Sequence, residues 1–186
     1  MDINEIFQAA VDPDLTQLVV LLNSGADPNS VNPNAGNTLL YNACFGDRLD
    51  VVRLLLAHGA DPNKRMVYRS GVDGRVDEGV VTLMYAHSAE VALALLGAGA
   101  DPNAQDMEGR TALMRAVVAG TIEQVKVLIA AGASVTARDR RGATAADVVR
   151  AHLQWLEDFQ SSLKEREAKV RKTELESILA TLEEAT

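Results

Sequence analysis

Gly25-Ala26-Asp27-Pro28-Asn29 closes the apolar run Leu18-Val19-Val20-Leu21-Leu22, and the same five residues return as Gly59-Ala60-Asp61-Pro62-Asn63 and Gly99-Ala100-Asp101-Pro102-Asn103. A degraded copy follows at Gly132-Ala133-Ser134-Val135-Thr136. These later copies also close apolar runs, Val51-Val52-Arg53-Leu54-Leu55-Leu56, Val91-Ala92-Leu93-Ala94-Leu95-Leu96 and Val125-Lys126-Val127-Leu128-Ile129. Glycine suits the left-handed position just past a helix end, where a side chain would clash. The proline that follows stops helix from resuming and pushes the preceding Asp into extended backbone. Each phrase therefore reads as a helix stop and a turn.

The stops are periodic. From Gly25 to Gly59 is 34 residues, from Gly59 to Gly99 is 40, and from Gly99 to Gly132 is 33. A second motif keeps the same phase. Thr38-Leu39-Leu40-Tyr41-Asn42-Ala43 and Thr111-Ala112-Leu113-Met114-Arg115-Ala116 both open 21 residues before the next phrase glycine. Val81-Thr82-Leu83-Met84-Tyr85-Ala86 and Thr144-Ala145-Ala146-Asp147 are weaker versions. A turn and two helices recurring about every 33 residues is the signature of an ankyrin array, and the chain resembles the ankyrin-repeat family over residues 1–152. The resemblance implies an all-α solenoid of about five helix-turn-helix repeats, at 1–30, 31–63, 64–103, 104–136 and a partial 137–152. A long C-terminal helix, 153–186, lies outside it. The chain departs from the family at the residue after the opening Thr, where Leu39, Thr82, Ala112 and Ala145 replace the usual Pro. It departs again at the usual His, replaced by Tyr41, Met84, Met114 and Asp147. Proline at the first helical position preorganises the start, so this array is expected to be less stable than a consensus one.

Composition agrees with stacked thin helices: 47% of the 186 residues are hydrophobic and only 4% aromatic. An array buries its apolar surface against neighbouring repeats rather than in one centre. The net charge of −8 disfavours nucleic acid and anionic membrane as partners and favours a basic protein, or serves solubility alone. One cysteine, Cys44, makes no internal disulfide. The N-terminus lacks the basic start and long apolar stretch of a secretory signal, and no apolar run matches a membrane span. A cytoplasmic protein is expected.

Along the chain, Asp2 and Glu5 resemble a capping box, and Ile3, Ile6, Phe7 and Ala10 make one helical stripe. Asp12-Pro13 is expected to cap and open the second helix. The third repeat gains about ten residues in its turn and loses three from its first helix or the bend after it. The enlarged loop, Lys64 to Val80, is compatible with an extended hairpin pairing Arg65/Val67 with Val72/Gly74/Val76, and loops of this length are usually functional or disordered. The tail stays free of Gly and Pro from Ala145 to Ala185. Thr173 with Glu176 offers a second helix start. Leu156, Leu163 and Val170 lie seven apart, but Gln160, Glu167 and Glu174 spoil the matching positions for a coiled coil. Trp155, Leu156 and Phe159 are expected to seal the end of the fifth repeat; a dimer seam or a solvated helix is the alternative.

No residue set argues for catalysis, a metal or a cofactor. His58, His87 and His152 lack partners at ligand spacing, and no phosphate-cradling loop or nucleophile elbow is present. The resemblance instead implies docking of a partner protein on the concave side, at the turn tips and first helices. Carried over by position, the candidates are Asn34, Ala35, Asn37 and Phe45, then Met107, Glu108, Arg110, Val118 and Ala119, then Arg140, Arg141 and Ala143. The enlarged loop adds Met66, Tyr68, Arg69 and Arg75, residue types enriched in interface cores. Phe45 fits the inter-repeat core equally well. The expected function is a non-enzymatic interaction module, a stand-alone adaptor or inhibitor/immunity-type protein. The alternative is an oligomerising subunit, with the protein a monomer or a weak homodimer through the C-terminal helix.

Overall fold

The computed structural model describes residues 3–69, 76–119, 121–158 and 165–186. Nine α-helices lie among them: α1 Ile3–Val11, α2 Thr16–Asn23, α3 Leu39–Phe45, α4 Leu49–Ala57, α5 Ala89–Gly97, α6 Ala112–Ala119, α7 Ile122–Ala130, α8 Ala145–Asp158 and α9 Glu165–Glu184. A 3₁₀ turn, Thr82–Tyr85, stands where the third repeat's first helix belongs, and strands β1 Met66–Arg69 and β2 Val76–Val80 precede it. The inner row of the array is α1, α3, the 3₁₀ turn, α6 and α8, each touching the next. The outer row runs α4, α5, α7 and α9. The core is a continuous file of buried Leu, Val and Ala between the rows, including Leu18, Leu39, Val52, Leu55, Val91, Leu95, Leu113, Val125 and Leu128.

The phrase residues hold this stack in register. Gly25, Gly59, Gly99 and Gly132 all have φ between 84° and 90°, the left-handed stop expected of them. The Asp of each full phrase accepts from the N–H of its own Asn at 2.8 Å, which shapes the turn. The Asn then reaches across to the next repeat. Asn29 donates to the Gly59 carbonyl and accepts from the Asp61 N–H. Asn63 does the same to Gly99 and Asp101, and Asn103 to Gly132 and Ser134. The degraded phrase ends the series: Thr136 meets the hydroxyl of Ser134 instead.

Helix starts follow the sequence at most repeats. Thr38, Thr111, Ser88 and Thr121 accept through their hydroxyls from the N–H three residues on. Asp12-Pro13 does not open α2. Asp12 instead caps the N–H of Asp14, Asp14 binds the N–H and hydroxyl of Thr16, and the helix begins there. Asp2 lies outside the described residues, so the expected capping box does too.

Two elements depart from an all-helical array with one long tail. The enlarged loop forms the antiparallel β1–β2 hairpin, but its return strand is Val76–Val80, later than expected. Gly79 is an extra residue in β2, at φ 69°, and shifts the register between Met66↔Val80 and Val67↔Glu78. The tail forms two helices. Arg150 pairs with Glu183 and Glu157 with Lys172, so α9 runs back antiparallel to α8. Leu175, Ile178 and Leu182 are buried and α9 touches α7. It thus holds the outer place of the fifth repeat. Helix α9 continues unbroken through Thr173, whose hydroxyl donates back to the Lys169 carbonyl, so no new helix starts there. Leu156 is buried, Trp155 is half-exposed and Val170 is exposed; Phe159 and Leu163 lie outside the described residues.

Candidate functional site

The inner face presents the turn tips and first helices, and its tips are joined by backbone bonds. The Met107 N–H donates to the Glu78 carbonyl at 2.9 Å, stitching β2 to the fourth repeat's tip. The Arg140 N–H donates to the Glu108 carbonyl at 2.9 Å, stitching that tip to the fifth. Arg65 ties the hairpin base down by donating to the carbonyls of Gly79 and Gln105. At Gly109 a Cβ would approach Asp139 Cα to 3.1 Å, so the junction between tips tolerates only glycine there, at φ 74°.

On this frame Phe45 (56% exposed), Met107 (49%) and Val118 (38%) stand open, with Asn34, Arg140 and Arg141 also exposed. Phe45 does not enter the inter-repeat core. It stacks on the edge of the file, 6.0 Å from the Tyr41 ring and 5.7 Å from His87. Two expected contact residues are buried. Asn37 lies under its tip, where its side-chain N–H donates to Asn42. Met66 points into the core, because it pairs with buried Val80 at the inner end of the hairpin, below the Gly79 bulge. Tyr68 and Arg69 belong to β1, but their side chains lie outside the described residues, as does all of Arg75.

The sequence reading missed a polar cluster behind these residues. Asp106 is buried, and its carboxylate accepts from the N–H groups of Glu108 and Arg110, from the Arg110 side chain at 2.8 Å and from Arg115 at 3.1 Å. Charge-assisted bonds of this kind fix the loop that carries the buried carboxylate. Arg110 is therefore half-buried and committed to its own tip. Arg115 also lies over the Tyr85 ring, 4.7 Å from its centroid, and donates to its hydroxyl. Tyr85 in turn meets Tyr41 edge-on at 4.9 Å.

Beside this cluster is a cavity of about 300 Å³. Its walls include Met84, Tyr85, Ala86, Met114 and Ala116, with exposed Val118 and Ala119 at the mouth and Gln124 at the back. The shortened third repeat accounts for it. α3 and α6 have seven and eight residues, whereas the element between them is one turn of four. The second half of α6 thus lacks an inner-row neighbour on that side. Among the described residues, no group of three or more His, Cys, Asp and Glu is placed to hold a metal ion. Burial pushes the Cys44 thiol well above its ordinary pKa, so it is packed as a small apolar residue.

Comparison with known proteins decides the family. A model of ankyrin repeats in three copies matches residues 6–106, and one of a single ankyrin repeat matches 108–140. The chain belongs to the ankyrin-repeat family. Ankyrin repeats are in general protein-protein interaction modules rather than catalytic ones. The chain is similar to the 2-5A-dependent ribonuclease of Mus musculus, at 41% identity over 34% of this chain and 9% of that protein. It is also similar to ankyrin repeat and SOCS box protein 6 of Mus musculus and of Homo sapiens, at 35% and 34% identity over 57% of this chain and 24% of each. The chain thus spans under a quarter of the length of these relatives. Among the described residues, no helix is long and apolar enough to cross a membrane.

Proposed function

We propose that this ankyrin array binds a partner protein through its inner face, with the turn tips and the hairpin as the contact surface, and acts as an adaptor or inhibitor that covers part of that partner. The observation that carries this is the exposure of Phe45, Met107 and Val118 on a backbone already fixed by tip-to-tip hydrogen bonds. A preorganised surface loses little freedom on binding. The net charge of −8 supports a basic partner drawn in by long-range attraction. The apolar stripe of α9 is taken up within the chain, which supports a monomer over a dimer through that helix.

The test is retention of the partner from native lysate by the full chain and by two variants of unchanged melting temperature. Phe45→Lys with Met107→Lys on the inner face is expected to lose the partner at least about tenfold, the scale of one or two interface anchors. Leu93→Lys, at an exposed position of α5, is expected to retain it. Equal retention by all three would overturn the proposal.

A further inference from the structure

We infer that an arginine side chain of the partner lies flat on the open face of Phe45 and turns its guanidinium to the Asp47 carboxylate. This rests on the inner face being the partner surface and names the group that anchors at one edge of it.

The two edges of that face differ in charge. The tips at residues 104–111 and 137–144 hold four arginines against three carboxylates. The other edge is made by the bends that lead into α2, α4 and α5, at residues 12–16, 46–50 and 86–90. It holds five carboxylates, Asp12, Asp14, Asp47, Asp50 and Glu90, against one arginine. That arginine, Arg48, is engaged: it pairs with Asp50 at 2.8 Å and donates to the Asp12 carbonyl. The acidic surplus of the chain is therefore present at the bends and absent from these tips. Apolar surface stands on the same edge, since Val11 and Phe45 are exposed at the ends of the neighbouring helices α1 and α3.

Phe45 and Asp47 are the pair that a cation would meet there. The Phe45 ring stacks on Tyr41 and meets the His87 ring edge-on, and more than half of the residue is left open. Asp47 accepts from the Ser88 hydroxyl at 2.6 Å. His87 and Ser88 are consecutive, so the ring and the carboxylate are held side by side against one short stretch. Asp47 has φ 51°, and among the described residues no other non-glycine residue has positive φ. Two residues before the second helix of the fourth repeat, the same place is taken by Gly120. A glycine adopts this backbone without strain, yet here the chain keeps a carboxylate. One bond from Ser88 leaves that carboxylate with acceptor capacity to spare.

An aromatic face beside a carboxylate selects a planar cation. An aliphatic guest would cover the ring and strip water from Asp47 without pairing it. An acidic guest would meet five like charges. A lysine ammonium is a compact, strongly hydrated point charge. A guanidinium is more weakly hydrated, stacks by its flat face and donates from its edge to a carboxylate.

Tetra-arginine is the probe, titrated into the full chain by NMR at low salt, alongside tetralysine and tetracitrulline, the last planar but uncharged. The arginine peptide is expected to bind with Kd on the order of millimolar and to shift the resonances of Phe45, Asp47 and His87. Lysine is expected to bind about threefold more weakly, and citrulline not to bind. Phe45→Leu, apolar without an aromatic face, is expected to weaken tetra-arginine about threefold. Asp47→Asn keeps an acceptor for Ser88 and tolerates the left-handed backbone, and is expected to weaken it about twofold or more. Glu184→Gln removes the same charge at the exposed end of α9 and is expected to leave binding unchanged. Shifts confined to other residues, equal binding by lysine or citrulline, or a loss from Glu184→Gln as large as that from Asp47→Asn would overturn the inference. None of these results depends on the partner, so the lysate variants above judge the surface separately.

Discussion

Asn63 sits at the end of its phrase and makes two bonds to the following one, 2.8 Å to the Gly99 carbonyl and 2.8 Å from the Asp101 N–H. One planar amide thus satisfies a donor and an acceptor left over where α5 ends. Asn63→Ala is expected to lower stability by about 1–2 kcal/mol, two modest bonds on a partly wet surface. Urea unfolding measures it. Asn63→Asp is expected to do no better, because a carboxylate accepts from Asp101 but sets an anionic oxygen against the Gly99 carbonyl. The phrase was legible as a helix stop because glycine and proline act locally. The role of its Asn was not, since its partners are 36 and 38 residues away. Gln124 was visible as a polar residue at a valine position, but only once the outer helices are laid side by side.

At the scale of elements, α8 opens with a reciprocal cap: Thr144 Oγ1 accepts from the Asp147 N–H, while Asp147 accepts from the Thr144 N–H and hydroxyl. The backbone and hydroxyl bonds from Thr144, with help from Arg150, hold the Asp147 carboxyl below its ordinary pKa. A lowered acid pKa contributes stability that is fully present above the unfolded value and lost as pH falls through the folded one. The loss therefore begins below about pH 4. Asp147→Asn is expected to be less stable at neutral pH and to show a smaller drop in melting temperature on acidification, read from thermal melts at about pH 6 and about pH 3. The third repeat's insertion and deletion were countable from spacing alone, and the hairpin and the 3₁₀ turn are their structural outcome. The burial of Met66 was not countable, because one bulged glycine resets which residues of a short strand face inward.

For the whole molecule, α9 closes the array. Ile178→Ala is expected to cost about 2–5 kcal/mol, the usual loss for a large side chain removed from a packed interior. In a linear stack that loss stays near where it is made. Amide exchange is thus expected to rise in α7, α8 and α9 well before α3 and α4; uniform acceleration along the chain would contradict this. The stripe Leu175, Ile178, Leu182 was present in the sequence at helical spacing. The seven-residue series Leu156, Leu163, Val170 competed with it, and periodicity alone does not say which stripe a folded-back helix hides.

The weakened phrase at Ser134 and Thr136 also marks where the asparagine coupling between repeats stops. Upstream, every join ends in an asparagine that welcomes whatever phrase comes next, so a duplicated unit spliced in after Asn63 or Asn103 would find both its sockets ready. Downstream of Thr136 that coupling is missing and a folded-back helix fills the berth. An inserted repeat at either join would thus make the same two bonds on each side, while past Thr136 it is α9 that packs on α7.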